Sequence, residues 1–98
     1  MVELVRVSQV EVIAERTLRV VFTDGLVREL DFAGVLTGVL AELDDAAAFG
    51  SVAVDPVAGT VCWPGGIDLD PDVLHGDARP VTAPAPRLIR QYRAAQAG

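Results

Sequence analysis

The segment Val61 to Leu74, Val-Cys-Trp-Pro-Gly-Gly-Ile-Asp-Leu-Asp-Pro-Asp-Val-Leu, constrains the fold most tightly. A β-rich run ends at Trp63, because Pro64 cannot donate to a ladder and Gly65 and Gly66 open the positive-φ region that a sharp turn needs. Asp70-Pro71-Asp72 then has the order of an N-cap followed by the first two positions of a short helical turn, where carboxylates meet the positive end of the peptide dipoles. A strand end, a turn and a helix start within fourteen residues leave no room for a long helix and call for a small mixed architecture.

Upstream, Val10 to Ala14 and Leu18 to Phe22 read as strands separated by the polar Glu15-Arg16-Thr17. Leu18, Val20 and Phe22 share one face by the period of two. Thr23-Asp24-Gly25 between apolar runs is a hairpin signal, and Leu26 to Asp31 is its return strand. The inward set of that strand is ambiguous, since Leu26, Leu30 and Phe32 alternate against Val27, Glu29 and Asp31. From Asp31, a candidate N-cap, the period changes: Val35, Leu36, Val39, Leu40 and Leu43 form one helical stripe. Gly34 and Gly38 weaken that helix, which must therefore be held by docking on the sheet. Asp44 to Phe49 adds a further helical turn ended by Gly50. Ser51 to Asp55 and Thr60 to Trp63, joined through Pro56 and Gly59, make a second hairpin.

The expected fold is thus α+β: a small antiparallel sheet of two β-hairpins with one intervening helix, a short helical turn after the last strand, and a C-terminal arm. Residues 1–78 form the single domain, and residues 79–98 a proline-containing linker and an arginine-rich tail. Pro80 to Pro86 reads as semi-extended. Arg87 to Ala97 has helical propensity, with Leu88, Ile89 and Tyr92 on one side and Arg87, Arg90 and Arg93 spaced by three, though it is too short to be a stable helix alone. At 98 residues the chain can bury roughly 60 to 65% of its unfolded surface in one core without staples.

Charge is segregated along the chain. All 14 carboxylates lie before residue 79, together with Arg6, Arg16, Arg19 and Arg28, whereas Arg79, Arg87, Arg90 and Arg93 follow with no acid among them. There is no lysine, and the net charge is −6. An acidic body favours a basic protein partner and disfavours phosphate, so nucleic acid is expected only through the tail. Cys62 is the one cysteine, the N-terminus lacks the apolar run of a signal peptide, and the longest uncharged stretch, Pro56 to Ile67, falls short of the roughly 18 residues a membrane helix needs. A cytoplasmic protein without membrane association is expected.

No catalytic set emerges, and the chain is read as a non-enzyme without cofactor or metal. Asp68, Asp70 and Asp72 are spaced like a calcium loop, but Val73 stands where the loop glycine belongs and no glutamate closes it. Cys62 and His75 could formally pair as nucleophile and base, yet Cys62 belongs to a strand interior. One Cys and one His cannot supply a zinc site. The candidate partner-binding residues are Trp63, Arg87, Arg90 and Arg93. A lone tryptophan ending a strand more often covers a core edge than forms a recognition surface.

The combination Leu18-Arg-Val-Val-Phe-Thr-Asp-Gly25, Leu30-Asp-Phe, Phe49 with Val52-Ala-Val-Asp55, and Trp63-Pro-Gly-Gly-Ile-Asp-Leu-Asp-Pro-Asp-Val-Leu74 resembles the prokaryotic family catalogued as domain of unknown function 2442. The resemblance runs from Val10 to His75 and implies a small α+β fold of antiparallel strands with an intervening helix. It carries over no catalytic or binding residue. It implies two contexts: fusion to a helix-turn-helix regulator, for which the tail after Pro80 is too short, and a toxin–antitoxin arrangement with a neighbouring small protein. The expected function is therefore a noncatalytic protein-interaction module, antitoxin-like, with an acidic body for a basic partner and an arginine arm that docks on a partner or a second copy. A homodimer through hairpin edges is among the expectations. The alternative is an accessory to transcription whose arginine tail contacts DNA.

Overall fold

The computed structural model describes residues 5–36, 38–69, 71–76 and 86–93. Asp70, Arg79 and the linker up to residue 85 lie outside them, as do residues 94–98 and the side chains of Val39 and Asp72, and with them the expected N-cap at Asp70, the semi-extended linker and the end of the tail. Among the described residues, seven strands form two antiparallel sheets. The larger has the order β1 (Val7–Ala14), β2 (Thr17–Phe22), β3 (Leu26–Asp31), β7 (Arg87–Arg93), and the smaller β4 (Ala53–Asp55), β5 (Thr60–Trp63), β6 (Ile67–Asp68). Two one-turn helices, α1 (Ala46–Phe49) and α2 (Pro71–His75), and a 3₁₀ segment (Gly38–Asp44) complete a mainly β architecture. No helix among the described residues is long and apolar enough to cross a membrane.

The hairpin at Asp24-Gly25 forms as its residues dictate. Gly25 adopts φ +87°, its N–H bonds the Phe22 carbonyl at 3.0 Å, and Asp24 Oδ1 accepts from the Leu26 N–H at 3.0 Å. Leu18, Val20 and Phe22 are all buried on one face, with Leu30 and Leu26 opposite. The ambiguity in β3 has a physical cause. As an interior strand it has β2 and β7 along its two edges, and cross-strand side chains, Val21 and Tyr92 beside Val27 and Arg19 and Arg90 beside Glu29, flank its outer face, so Val27 and Glu29 are buried along with Leu26 and Leu30. Val61 and Trp63 bring the smaller sheet against this core. There Phe32, Phe49 and Trp63 pack as a trio with ring centroids 5.7 to 6.4 Å apart.

Three expectations need correction. The helix from Asp31 does not form: Asp31 Oδ1 accepts from the Ala33 N–H, Gly34 takes φ +83°, and the chain turns before a 3₁₀ segment begins at Gly38. The apolar stripe survives without the helix, since Val35, Leu36 and Leu43 are buried and Leu40 packs on the core. Pro64-Gly65-Gly66 does not simply end a strand. With φ +96° and +81° the two glycines reverse the chain so that Ile67–Asp68 pairs back on Cys62 and Trp63. Finally, Arg87–Arg93 is a strand, not a helix or a separate arm, and lies antiparallel to β3 from Leu26↔Arg93 to Asp31↔Arg87.

Candidate docking cleft at the end of β1

The β1–β2 connection is only two residues, Glu15 and Arg16, and Arg16 pays its conformational cost at φ +58°, a left-handed value unusual for a side chain larger than Asn. What holds it there is local. The Arg16 carbonyl accepts from the Phe32 N–H at 2.7 Å, while its guanidinium donates to Asp44 Oδ1 at 2.7 Å, to the Asp44 carbonyl at 3.1 Å and to Glu15 Oε1 at 2.9 Å. The hydrogen bond and charge of Asp44 hold the guanidinium pKa above its ordinary value. Arg16 therefore clamps the β1–β2 turn to the end of the 3₁₀ segment.

Just before this turn β1 bulges. Its register skips from Val12↔Leu18 to Ala14↔Thr17, leaving Ile13 as the extra residue. Beside the bulge sits α1, capped by Asp45, whose Oδ2 accepts from the Ala48 N–H at 3.1 Å. Bulge, turn and helix enclose an open cleft of about 330 Å³ walled by Val12, Ile13, Ala14, Leu43, Ala46 and Phe49 and edged by Glu15, Arg16 and Asp45. Its wall is apolar and Val12 is 39% exposed. Its rim is acidic: Glu15 and Asp45 are exposed, and Arg16 is already committed to Glu15 and to the adjacent Asp44. Such a site suits an apolar anchor carried on a cationic segment.

The residues singled out from sequence lie elsewhere, and the structure does not bring them together. Trp63 is 3% exposed, and its Nε1 donates to the Phe49 carbonyl at 2.9 Å, so it is a packing residue and not a surface for recognition. It supports the cleft from behind through Phe49. Arg87, Arg90 and Arg93 lie on β7, at the opposite edge of the sheet from β1. Arg87 bonds Asp31 Oδ2 at 3.0 Å, Arg90 lies 4.6 Å from the Tyr92 ring centre, and Arg93 donates to the Asp24 carbonyl at 2.8 Å. His75 is engaged with Asp24, Nε2 to Oδ2 at 2.8 Å, and stands edge-on to Phe22. Cys62 lies half-buried within β5 opposite Ala53 and Asp68. Among the described residues no three His, Cys, Asp or Glu side chains gather as a metal site. The cleft itself was not visible in the sequence. Its one signal is the charged Glu15-Arg16 pair at a turn too short for bulky residues without a clamp.

Fold and cleft together define a small two-sheet α+β domain with an open apolar cleft beside an edge strand. The chain belongs to the family described as protein of unknown function DUF2442, whose model matches residues 7–80. The matched span holds β1 to β6 and the whole cleft, and β7 follows it. No curated protein and no solved structure matches the chain.

Proposed function

We propose that this chain is a noncatalytic protein-interaction module that recruits a basic protein partner by seating one of its apolar side chains in the cleft at the end of β1. The observation that carries this reading is the pairing of an apolar wall with two carboxylates at the rim, Glu15 and Asp45, while the one lining cation, Arg16, is bound within the chain by Glu15 and by Asp44. An antitoxin-like role is one form of it, in which the partner is a small basic protein encoded nearby. The transcription alternative called for a free arginine arm, whereas Arg87, Arg90 and Arg93 belong to a strand of the sheet.

Ala46 tests the proposal, since it is exposed, lines the cleft and occupies the first turn of α1. Ala46→Arg would fill the cleft and offset the acidic rim without touching the core. Co-expression with the product of the adjacent gene, followed by co-purification at low and high salt, should give a complex that weakens with salt and is lost in Ala46→Arg. A complex indifferent to Ala46→Arg, or no complex with the unmodified chain, would count against recruitment of a separate partner through the cleft.

A further inference from the structure

The four-stranded sheet carries a rung of charge that alternates from edge to edge. Glu11 on β1 stands opposite Arg19 on β2, Arg19 opposite Glu29 on β3, and Glu29 opposite Arg90 on β7. Its first two steps are ion pairs at 3.3 Å. The rung starts on an acid at one edge and finishes on a cation at the other. We propose that β7 of one copy adds to β1 of a second copy, extending the sheet with Arg90 of the first beside Glu11 of the next.

Charge selects this pairing over the other ways of joining the two edges. Antiparallel β7–β7 pairing centred on Arg90 sets Arg90 against its own copy and Arg87 against Arg93. Joining β1 to β1 across Glu11 sets carboxylate against carboxylate. Like charges directly opposite on neighbouring strands are destabilising, and only β1–β7 places opposite signs together. β7 also has the composition that the cleft favours, since it holds three arginines, no acid, and Leu88 and Ile89 at 43% and 49% exposure.

Geometry agrees with the charge. Leu88 stands opposite Leu30, Leu30 opposite Leu18, and Leu18 opposite Val12, so Leu88 and Val12 share the core-side face. Continuing the rung places Leu88 of one copy beside Val12 and Ile13 of the next, at the wall of the cleft. β1 has two extra residues, Ser8 and Ile13, and β7 has one, Ile89; in this register Ile13 and Ile89 fall within one residue of each other. Over Gln9–Ala14 neither edge must straighten to meet its mate. The turn between β4 and β5 covers β1 at Val7, whose N–H bonds the Gly59 carbonyl at 2.9 Å. Among the described residues no loop hydrogen bond covers Gln9–Ala14. The contact is head-to-tail, so each added copy presents a fresh acidic edge and a fresh basic one, and growth stops only if the geometry closes a ring.

This inference rests on the reading of the cleft as a docking site and names the β7 strand of a second copy as its occupant. Sedimentation velocity of the full chain should show a mass above the monomer that rises with concentration and falls with salt. Glu11→Arg and Arg90→Glu should each weaken self-association by about tenfold or more, and the double reversal should restore it. Circular dichroism checks that each variant is folded. On the unaltered chain, hydrogen exchange in Gln9–Ala14 should slow as concentration rises. A monomer at every concentration with unchanged exchange overturns the proposal, as does self-association indifferent to both single reversals. A monomeric chain that still takes a co-expressed basic partner, sensitive to Ala46→Arg, overturns the second-copy occupant alone. A chain that self-associates in the charge-reversal pattern but takes no other protein overturns the recruitment of a separate basic partner and leaves this inference standing.

Discussion

Replacing Trp63 by Phe should destabilise the domain by about 1.5 to 2.5 kcal/mol. Its indole N–H donates to the Phe49 carbonyl at 2.9 Å within a buried environment, and phenylalanine removes that bond, leaving the carbonyl only the longer 3.3 Å bond from the Val52 N–H. A lost intramolecular hydrogen bond of this kind costs about 0.5 to 1.5 kcal/mol. The smaller ring also withdraws atoms from contact with Phe32 and Phe49, adding about 1 kcal/mol of lost packing. Against a total stability of roughly 5 to 15 kcal/mol for a domain of this size, the loss is substantial, and it lowers Tm by on the order of 6 to 20 °C. Far-UV circular dichroism during thermal and urea unfolding measures it, because the substitution removes the only tryptophan and with it the intrinsic fluorescence signal. Hydrogen exchange should also quicken in α1, whose Phe49 N–H bonds the Asp45 carbonyl and whose position fixes one wall of the cleft. A loss below about 0.5 kcal/mol, on the scale of a neutral surface change, would refute the claim that Trp63 anchors α1.

Gly59→Ala should cost about 1 to 3 kcal/mol, because Gly59 sits at φ +71° and a Cβ there would meet Arg6 Nε at 2.8 Å, disturbing the side chain that bonds the Pro56 and Val57 carbonyls. A urea midpoint equal to that of the parent chain would contradict this. Acid should weaken the domain through Asp24 and Asp31, both held below the ordinary carboxylate pKa. For Asp24, burial raises the pKa, but the Leu26 N–H, His75 and Arg93 together outweigh it; for Asp31, the Ala33 N–H acts first and Arg87 second. A carboxylate whose pKa is lower in the folded chain contributes its full stability above the unfolded value of about 3.9 and loses it as pH falls through the folded value. Tm should therefore fall below about pH 4, and Asp31→Asn should flatten that fall; an Asn variant with the parental acid profile would exclude Asp31 as a source.

Where local chemistry and burial agree, the fold can be read from the chain. Leu18, Val20 and Phe22 keep a strict period of two, Asp24-Gly25 fixes the turn, and the hairpin follows with its inner face correct. The stripe Val35 to Leu43 was legible as core but not as structure, because burial constrains which residues face inward and not how the backbone delivers them. Gly34, in the left-handed region, stops a helix from starting at Asp31 and leaves a turn and a 3₁₀ segment to present the same side chains. β6 escaped notice for a different reason. A two-residue strand has no period, and it forms only because the Pro64-Gly65-Gly66 turn returns the chain to β5.

The cleft and the β7 edge depend on features that periodicity hides, namely β-bulges. In an unbroken strand Arg87 and Arg90 would point to opposite faces, so their spacing of three looks helical. The register shift between Glu29 and Leu30 adds one residue, Ile89, and places Arg87 opposite Asp31 and Arg90 opposite Glu29 on the same face. A spacing of three then becomes a strand face that meets two acids of β3. The alternative helix would have been too short to persist alone, whereas β3 offers a ladder of hydrogen bonds and matching charge. The bulge in β1 likewise leaves Ile13 out of the ladder, where it walls the cleft beside Val12. Acidic body and basic tail look in the sequence like two independent surfaces for two kinds of partner. Strand register makes them the two ends of one charge-alternating sheet, and it is this register, not the linear charge pattern, that supports the self-association proposed above.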